Sequence, residues 1–245
     1  MGNSNTLVVV SHYEPNPKQP LAKLTGTLES LAENILVVVN DDAAASESIE
    51  SAGQSVRVIR RPNTGMNIGG WDSAFHAFPD YDFYIFLQDE CQIVRDDFIV
   101  RYAAELSKDG IGMTGESINP KWAFDWNTLA HSPLNYDVGV DQNGLPVSRV
   151  EYYLSCMKKW GVQPGVTGRH LRSLIWAFNR HALARIKGFP IGLNKEECIA
   201  SEIAVSKMVE QHGLAVTQIA EEPFEYIWHT EWQRDGQSKI QKVRH

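Results

Sequence analysis

Phe83-Tyr84-Ile85-Phe86-Leu87-Gln88-Asp89-Glu90 is a run of five apolar residues closed by an amide and two acids. Consecutive apolar side chains without polar alternation describe a strand covered on both faces, as in a parallel sheet. The polar triplet falls at the carboxyl end of that strand, where open α/β sheets bind ligands.

The same strand-then-polar pattern recurs upstream. Residues 7–10 are Leu-Val-Val-Val, followed by Ser11-His12-Tyr13-Glu14-Pro15; residues 35–39 run into Asn40-Asp41-Asp42; residues 56–59 lead towards Asn63. Between them, Leu21, Leu24, Leu28 and Leu31 recur at spacings of three and four, which predicts an amphipathic helix over 21–33. A short Ala-rich helix over 43–52 and a helical segment over 71–78 complete the alternation. Helices between continuous apolar strands imply an α/β fold with a mostly parallel central sheet sandwiched by helices.

Residues 116–172 change character. Trp122, Trp126, Tyr136, Tyr152, Tyr153 and Trp160 stand among Pro, Gly and Asn, which reads as long ordered loops with one helix near 150–159. Order returns with a strand over 174–178, a helical turn over 181–186, a helix over 199–211 ended by Gly213, and a strand over 214–219. Residues 233–245 are polar and read as a fraying end or linker.

Composition sets outer bounds. Of 245 residues, 43% are hydrophobic and 22% charged, enough for a sizeable core. The net charge of -7 gives no support to a nucleic-acid partner. No uncharged apolar stretch is long enough to span a bilayer. Three widely spaced cysteines suggest neither a disulfide framework nor a zinc site, so a reducing cytoplasm is the expected setting. There is no P-loop, and Gly65, Gly69 and Gly70 do not form a dinucleotide fingerprint, which argues against a kinase or dehydrogenase.

The order of the remaining motifs is informative. Asn40-Asp41-Asp42 ends the second strand, Asn63-Thr64-Gly65-Met66-Asn67-Ile68-Gly69-Gly70 follows the third, and Gln88-Asp89-Glu90 follows the fourth. Later come Ala177-Phe178-Asn179-Arg180 before Gly188-Phe189, then Ser201-Glu202 ahead of Gly213. Across about residues 6–220 this resembles the family-2 glycosyltransferases with the GT-A fold. In that family an acid ends the second strand, an Asn-x-Gly segment opens the next helix, Asp-x-Asp ends the fourth strand, and a Glu-Asp pair opens a late helix.

The resemblance implies one GT-A domain over 1–232, with a Rossmann-like nucleotide-sugar-binding half over about 6–115 and an acceptor half over about 116–232. It implies an inverting sugar transferase using a UDP- or dTDP-sugar. The acceptor would be a glycan or lipid-linked glycan, which is compatible with peripheral contact at the inner face of a membrane. His12, Asp41 or Asp42, Asn63, Gly65, Asn67, Asp89 and Arg172 would hold the nucleotide, with Arg169 and His170 as further diphosphate contacts. Magnesium or manganese would sit at Glu90 or Asp89, with His229 as a ligand or phosphate contact. Glu202 would be the general base, with Glu196 and Glu197 as competitors in a shifted register.

Each role has a plainer counterpart. Asp41 or Asp42 could cap the Ala-rich helix, and Glu202 could serve the dipole of a helix start. Trp122, Trp126 and Trp160 could stack on acceptor sugars or simply anchor loops. Gln88 stands where the family has its first acid, and Ser201 where it has Glu, which puts metal dependence in doubt and keeps open a GT-A domain that binds without turnover. Sugar nucleotidyltransferases share the fold type but carry a Gly- and Arg-rich loop after the first strand, which Ser11 to Pro15 does not match.

Overall fold

The computed structural model describes residues 5–51, 56–140 and 143–232; the polar tail lies outside them. In chain order the elements are β1 (Thr6–Tyr13), α1 (Lys18–Leu28), β2 (Ile35–Asp41), β3 (Ser48–Ser51), β4 (Val56–Pro62), α2 (Met66–Ala77), β5 (Phe83–Gln88) and β6 (Cys91–Ile93). Next come α3 (Phe98–Leu106), β7 (Ile111–Gly115), α4 (Trp126–Ala130), β8 (Asp137–Val140), β9 (Pro146–Ser148) and α5 (Arg149–Lys159). The chain continues through β10 (Ile175–Asn179), α6 (Arg180–Ile186), α7 (Lys195–Gln211), β11 (Ala215–Gln218) and β12 (Ile227–His229).

Eight strands form one sheet in the order β11-β7-β10-β5-β1-β2-β4-β3. The apolar runs of β1, β2 and β5 are its centre: Val8 stands opposite Ile35 on one side and Ile85 on the other, both in parallel register. Four of the seven pairings are parallel, whereas β10 runs antiparallel between β5 and β7, and β3 runs antiparallel to β4. The sheet is therefore mixed, with its parallel part where the sequence pattern placed it.

Both faces are covered. On one, Leu7, Val9, Tyr84 and Phe86 pack with Trp71 and Phe75 of α2, Trp176, and Val205 and Val209 of α7. On the other, Val8, Val10, Ile85 and Leu87 meet Leu24 and Leu28 of α1 and Phe98 and Tyr102 of α3. Trp71 and Trp176 are fully buried with ring centroids 5.2 Å apart; each such side chain contributes roughly 2–3 kcal/mol through lost water contact. A third cluster joins Trp122, Tyr153 and Met157 to Ala200, Ile203 and Ala204, fastening the segment after β7 onto α7.

Two expectations are corrected. The Ala-rich helix over 43–52 does not form; Ser48–Ser51 pairs instead with Arg57–Arg60 of β4 as an edge strand. Residues 91–115, to which the periodicity assigned no element, contain β6, α3 and β7.

Candidate active site

At the end of β5 the pleat sends successive side chains to opposite faces. Gln88 turns to the α2 side, where its Nε2 donates to the Ser173 carbonyl at 2.8 Å. Asp89 turns the other way and meets His12 Nδ1 at 2.5 Å. His12 is 1% exposed, and its Nε2 has no hydrogen-bond partner. Glu90 reaches the C-terminal strap: Thr230 Oγ1 donates to its Oε2 at 2.8 Å, and His229 Nε2 lies 3.9 Å from the same oxygen. The three residues of the triplet thus serve three different neighbours.

Asp89 is shared by two clefts. One, about 350 Å³, is lined by Tyr13, Asn63, Met66, Asn67, Gln88 and Asp89 together with Ser11 and Asn40. The other, about 220 Å³, lies between Lys23 of α1 and Asp89, Glu90 and Thr230. Around the first, Asp42 accepts hydrogen bonds from Tyr13 Oη at 2.5 Å and Asn63 Nδ2 at 3.0 Å. These bonds hold its carboxyl below the usual carboxylate range. Asp41 serves the backbone and a cation instead, accepting from the Ala43 N–H and from Arg60 Nη1, both outside the cleft lining.

The cleft wall formed by α2 sits close to the sheet. Gly65, left-handed at φ 78°, opens the helix, and Met66 follows at φ 52°. A Cβ on Gly69 would fall 1.9 Å from the Thr64 carbonyl oxygen, so no larger residue fits there. Under this turn the buried Arg61 donates to Asn40 Oδ1 at 2.6 Å and to the Thr64 carbonyl at 2.9 Å. Asn40 passes the chain on to Ser11 Oγ at 2.9 Å. Asn67, one residue into the helix, donates to the Ser173 carbonyl at 2.8 Å.

Ser173 joins this wall to Glu202. Its carbonyl receives Gln88 and Asn67, while its hydroxyl donates to Glu202 Oε2 at 2.6 Å. The other carboxylate oxygen, Oε1, lies 3.1 Å from His170 Nε2. Burial alone would raise the Glu202 carboxyl, but the His170 contact and charge, the Ser173 hydroxyl and the nearby Arg172 charge together hold it below its ordinary value. Glu202 is not at a helix start, as expected from sequence. α7 begins at Lys195 behind an Asn194 cap, so Glu202 sits about two turns in. Ser201, at the position of the family's Glu, is fully buried and donates to the Pro190 carbonyl.

The other sequence candidates stand elsewhere. Glu196 accepts from Tyr153 Oη at 2.6 Å, and Glu197 accepts from the Leu193 N–H at 2.7 Å, so both are tied to the α5–α7 region. Arg169 donates to the Val216 carbonyl. Trp122 is 4% exposed and packs on Tyr153, and Trp126 donates to Pro164 and Gly165 carbonyls, so both act as loop anchors. Tyr13, Ser173 and Thr230 were not singled out from sequence. Hydroxyls on strand ends and loops carry no spacing signal.

Among the described residues no group of three or more His, Cys, Asp and Glu side chains is arranged to hold a metal ion. The donor set fits a cation that takes one or two carboxylates and completes its shell with substrate phosphates and water. Asp89 and Glu90, which line the smaller cleft together, are the carboxylates that would be available to it. His229 Nδ1 accepts from the Glu231 N–H at 3.0 Å. A neutral ring then carries its proton on Nε2, which suits a phosphate or carboxylate contact better than ligation.

No protein-family model matches the chain, and no curated protein matches it. Solved structures do. The mannosyltransferase PcManGT from Pyrobaculum calidifontis, in complex with GDP-Man and Mn2+, superposes with a TM-score of 0.55 over 98% of this chain and 61% of that one, at 12% identity. GalNAc-T7 with UDP, GalNAc and Mn2+ superposes with a TM-score of 0.54 over 87% of this chain and 42% of that one, at 11% identity. The chain has the GT-A fold. Both GT-A neighbours are nucleotide-sugar glycosyltransferases, and this chain spans less than two thirds of either.

Proposed function

We propose that the protein is an inverting glycosyltransferase that moves a sugar from a nucleoside diphosphate to an acceptor hydroxyl. One observation carries this reading: Ser173 ties Glu202 directly to Gln88 at the end of β5 and to Asn67 of α2, so a partly buried carboxylate stands beside the larger cleft. In this reading Tyr13, Asp42 and Asn63 receive the nucleoside, since an ionised carboxylate accepts from base or ribose donors. The turn at Gly65 lets the backbone of α2 approach it.

Asp89 and Glu90 would hold magnesium or manganese, which would neutralise the diphosphate leaving group. His229 and Arg172 would add donors to the phosphate oxygens. Glu202 removes the acceptor proton as the hydroxyl oxygen bonds to the anomeric carbon from the face opposite the leaving group. The anomeric carbon–oxygen bond to phosphate breaks, its electron pair leaves with the nucleoside diphosphate, and the proton on Glu202 passes to water. The acceptor is a glycan or lipid-linked glycan, and the donor a UDP- or dTDP-sugar.

The test is thermal stability against UDP, dTDP, GDP and CMP, each with and without Mn2+, followed by transfer with the donor so identified. A selective shift is expected for one diphosphate, about 2.7 kcal/mol at a hundred times Kd. Because the described residues offer at most two carboxylates there, Mn2+ alone gives no shift and adds only in the presence of nucleotide. Glu202→Gln keeps the nucleotide shift and loses transfer by ~10²–10⁴-fold. No shift with any nucleotide sinks the reading and favours a GT-A domain with another ligand.

A further inference from the structure

The surroundings of His170 fix more about the base than its position, on the reading above that Glu202 is the base. The ring is 1% exposed. Its Nδ1 lies 2.7 Å from the Gly168 carbonyl oxygen, which can only accept, so Nδ1 carries a proton. Its Nε2 lies 3.1 Å from Glu202 Oε1. Each nitrogen therefore faces an acceptor, and Nε2 lies closer to the Glu202 oxygen than to the Asn119 Nδ2 donor, 3.1 against 3.4 Å. The contact to Glu202 needs one proton beyond those of a neutral ring and an ionised carboxylate, and that proton resides on Nε2 or on Glu202. The rest of the surroundings decides which. Ser173 Oγ donates to Oε2 at 2.6 Å, and the Arg172 charge adds to the field at Glu202, so the carboxylate is stabilised in its ionised form. The remaining groups facing the ring are neutral: the Asn119 amide, 3.4 Å from Nε2, and the Trp122 ring, 6.4 Å between centroids.

We propose that His170 is a positioning residue held as a buried imidazolium, and that His170 and Glu202 form an ion pair which keeps the base ionised and aims it. The Nε2 proton fixes Oε1, the Ser173 hydroxyl takes one lone pair of Oε2, and the second lone pair of Oε2 is left for the acceptor hydroxyl. After the acceptor proton arrives, the adjacent imidazolium disfavours neutral Glu202. The proton is therefore shed to water and the base is reset. His170 itself neither gains nor loses a proton in the cycle. The arrangement sacrifices some basicity for an ionised base down to acid pH.

The experiment is ring-nitrogen NMR on the full chain with ¹⁵N-labelled histidine at about pH 7.5, where exposed histidines are mostly neutral. An imidazolium signal is expected that is absent in His170→Gln and converted to a neutral ring in Glu202→Gln. No signal that His170→Gln removes, or one assigned to His170 that persists in Glu202→Gln, overturns the ion pair. In transfer assays His170→Gln keeps an N–H donor but removes the charge. The acidic limb of kcat then moves up by about one pH unit or more, while the acceptor KM stays within about threefold. A merely structural histidine would leave that limb where it was, and an unmoved limb overturns the role. The spectrum needs neither donor nor acceptor. A protein that transfers no sugar therefore loses the transferase reading, and with it this role, while the spectrum still decides the charge state.

Discussion

Glu116 shows how a single buried side chain can hold a distant part of the site. It is 1% exposed at the end of β7, and its carboxylate accepts from Tyr102 Oη at 2.7 Å and from the N–H groups of Ile227 and Tyr226 at 3.0 and 3.3 Å. Those backbone groups belong to the strap that carries His229 and Thr230 to Glu90. Burial raises the Glu116 carboxyl to about 7, against the pull of these hydrogen bonds. A carboxyl raised on folding favours the folded state while protonated, so its contribution is complete at acid pH and is lost as pH rises towards about 7. Unfolding measured from pH 5 to 8 should show the wild type losing up to about 3 kcal/mol relative to Glu116→Gln over that range. A pH-independent difference would mean that Glu116 titrates as an ordinary carboxylate. Residues of this kind were not legible in the sequence. Glu116 belongs to no spaced motif, and His170 drew notice only as a phosphate contact; the partners that define them include Ile227 and Glu202, more than thirty residues away. Asp89 could be singled out because it follows the apolar run of β5, whereas Glu202 was singled out only through the family resemblance.

At the level of elements, the approach of α2 to the sheet depends on two adjacent glycines. Gly69 has the Thr64 carbonyl where a Cβ would be, and a Cβ on Gly70 would lie 3.2 Å from the Asn40 side chain. Gly69→Ala must displace the Thr64 carbonyl and with it the turn that opens α2, at a cost of roughly 1–3 kcal/mol in unfolding free energy. It should also weaken any ligand of the Asn63–Asn67 wall. Equal stability of Gly69→Ala and wild type would show that the turn relaxes freely. The elements with continuous apolar runs, β1, β2 and β5, could be read from sequence because burial on both faces leaves no other pattern. The segment over 43–52 misled because Ala43 to Ala45 favour a helix while the free edge of β4 offers four residues of ladder, and tertiary pairing outweighs local propensity. The direction of β10 was also hidden, since an apolar pentapeptide reads the same parallel or antiparallel.

Across the molecule, GT-A architecture makes the site a meeting of distant parts of the chain. The residues lining the larger cleft come from β1, β2, α2 and β5 and the loops that follow the strands, whereas Ser173, Glu202 and the strap lie beyond residue 170. The overall fold was legible from the succession of strands and helices, but the junction between these parts was not, because it consists of a few long-range hydrogen bonds.

The antiparallel β10 has a consequence for biosynthesis. β7 pairs only with β10 and β11, and β5 receives its second neighbour only from β10. While the ribosome is still making residues 116–174, Phe83–Gln88 presents an open, apolar edge, a template for pairing with other nascent chains. A fragment ending near residue 170 should therefore self-associate on gel filtration where the full chain does not. β10, from the last third of the polypeptide, is the strand that closes this edge in the middle third.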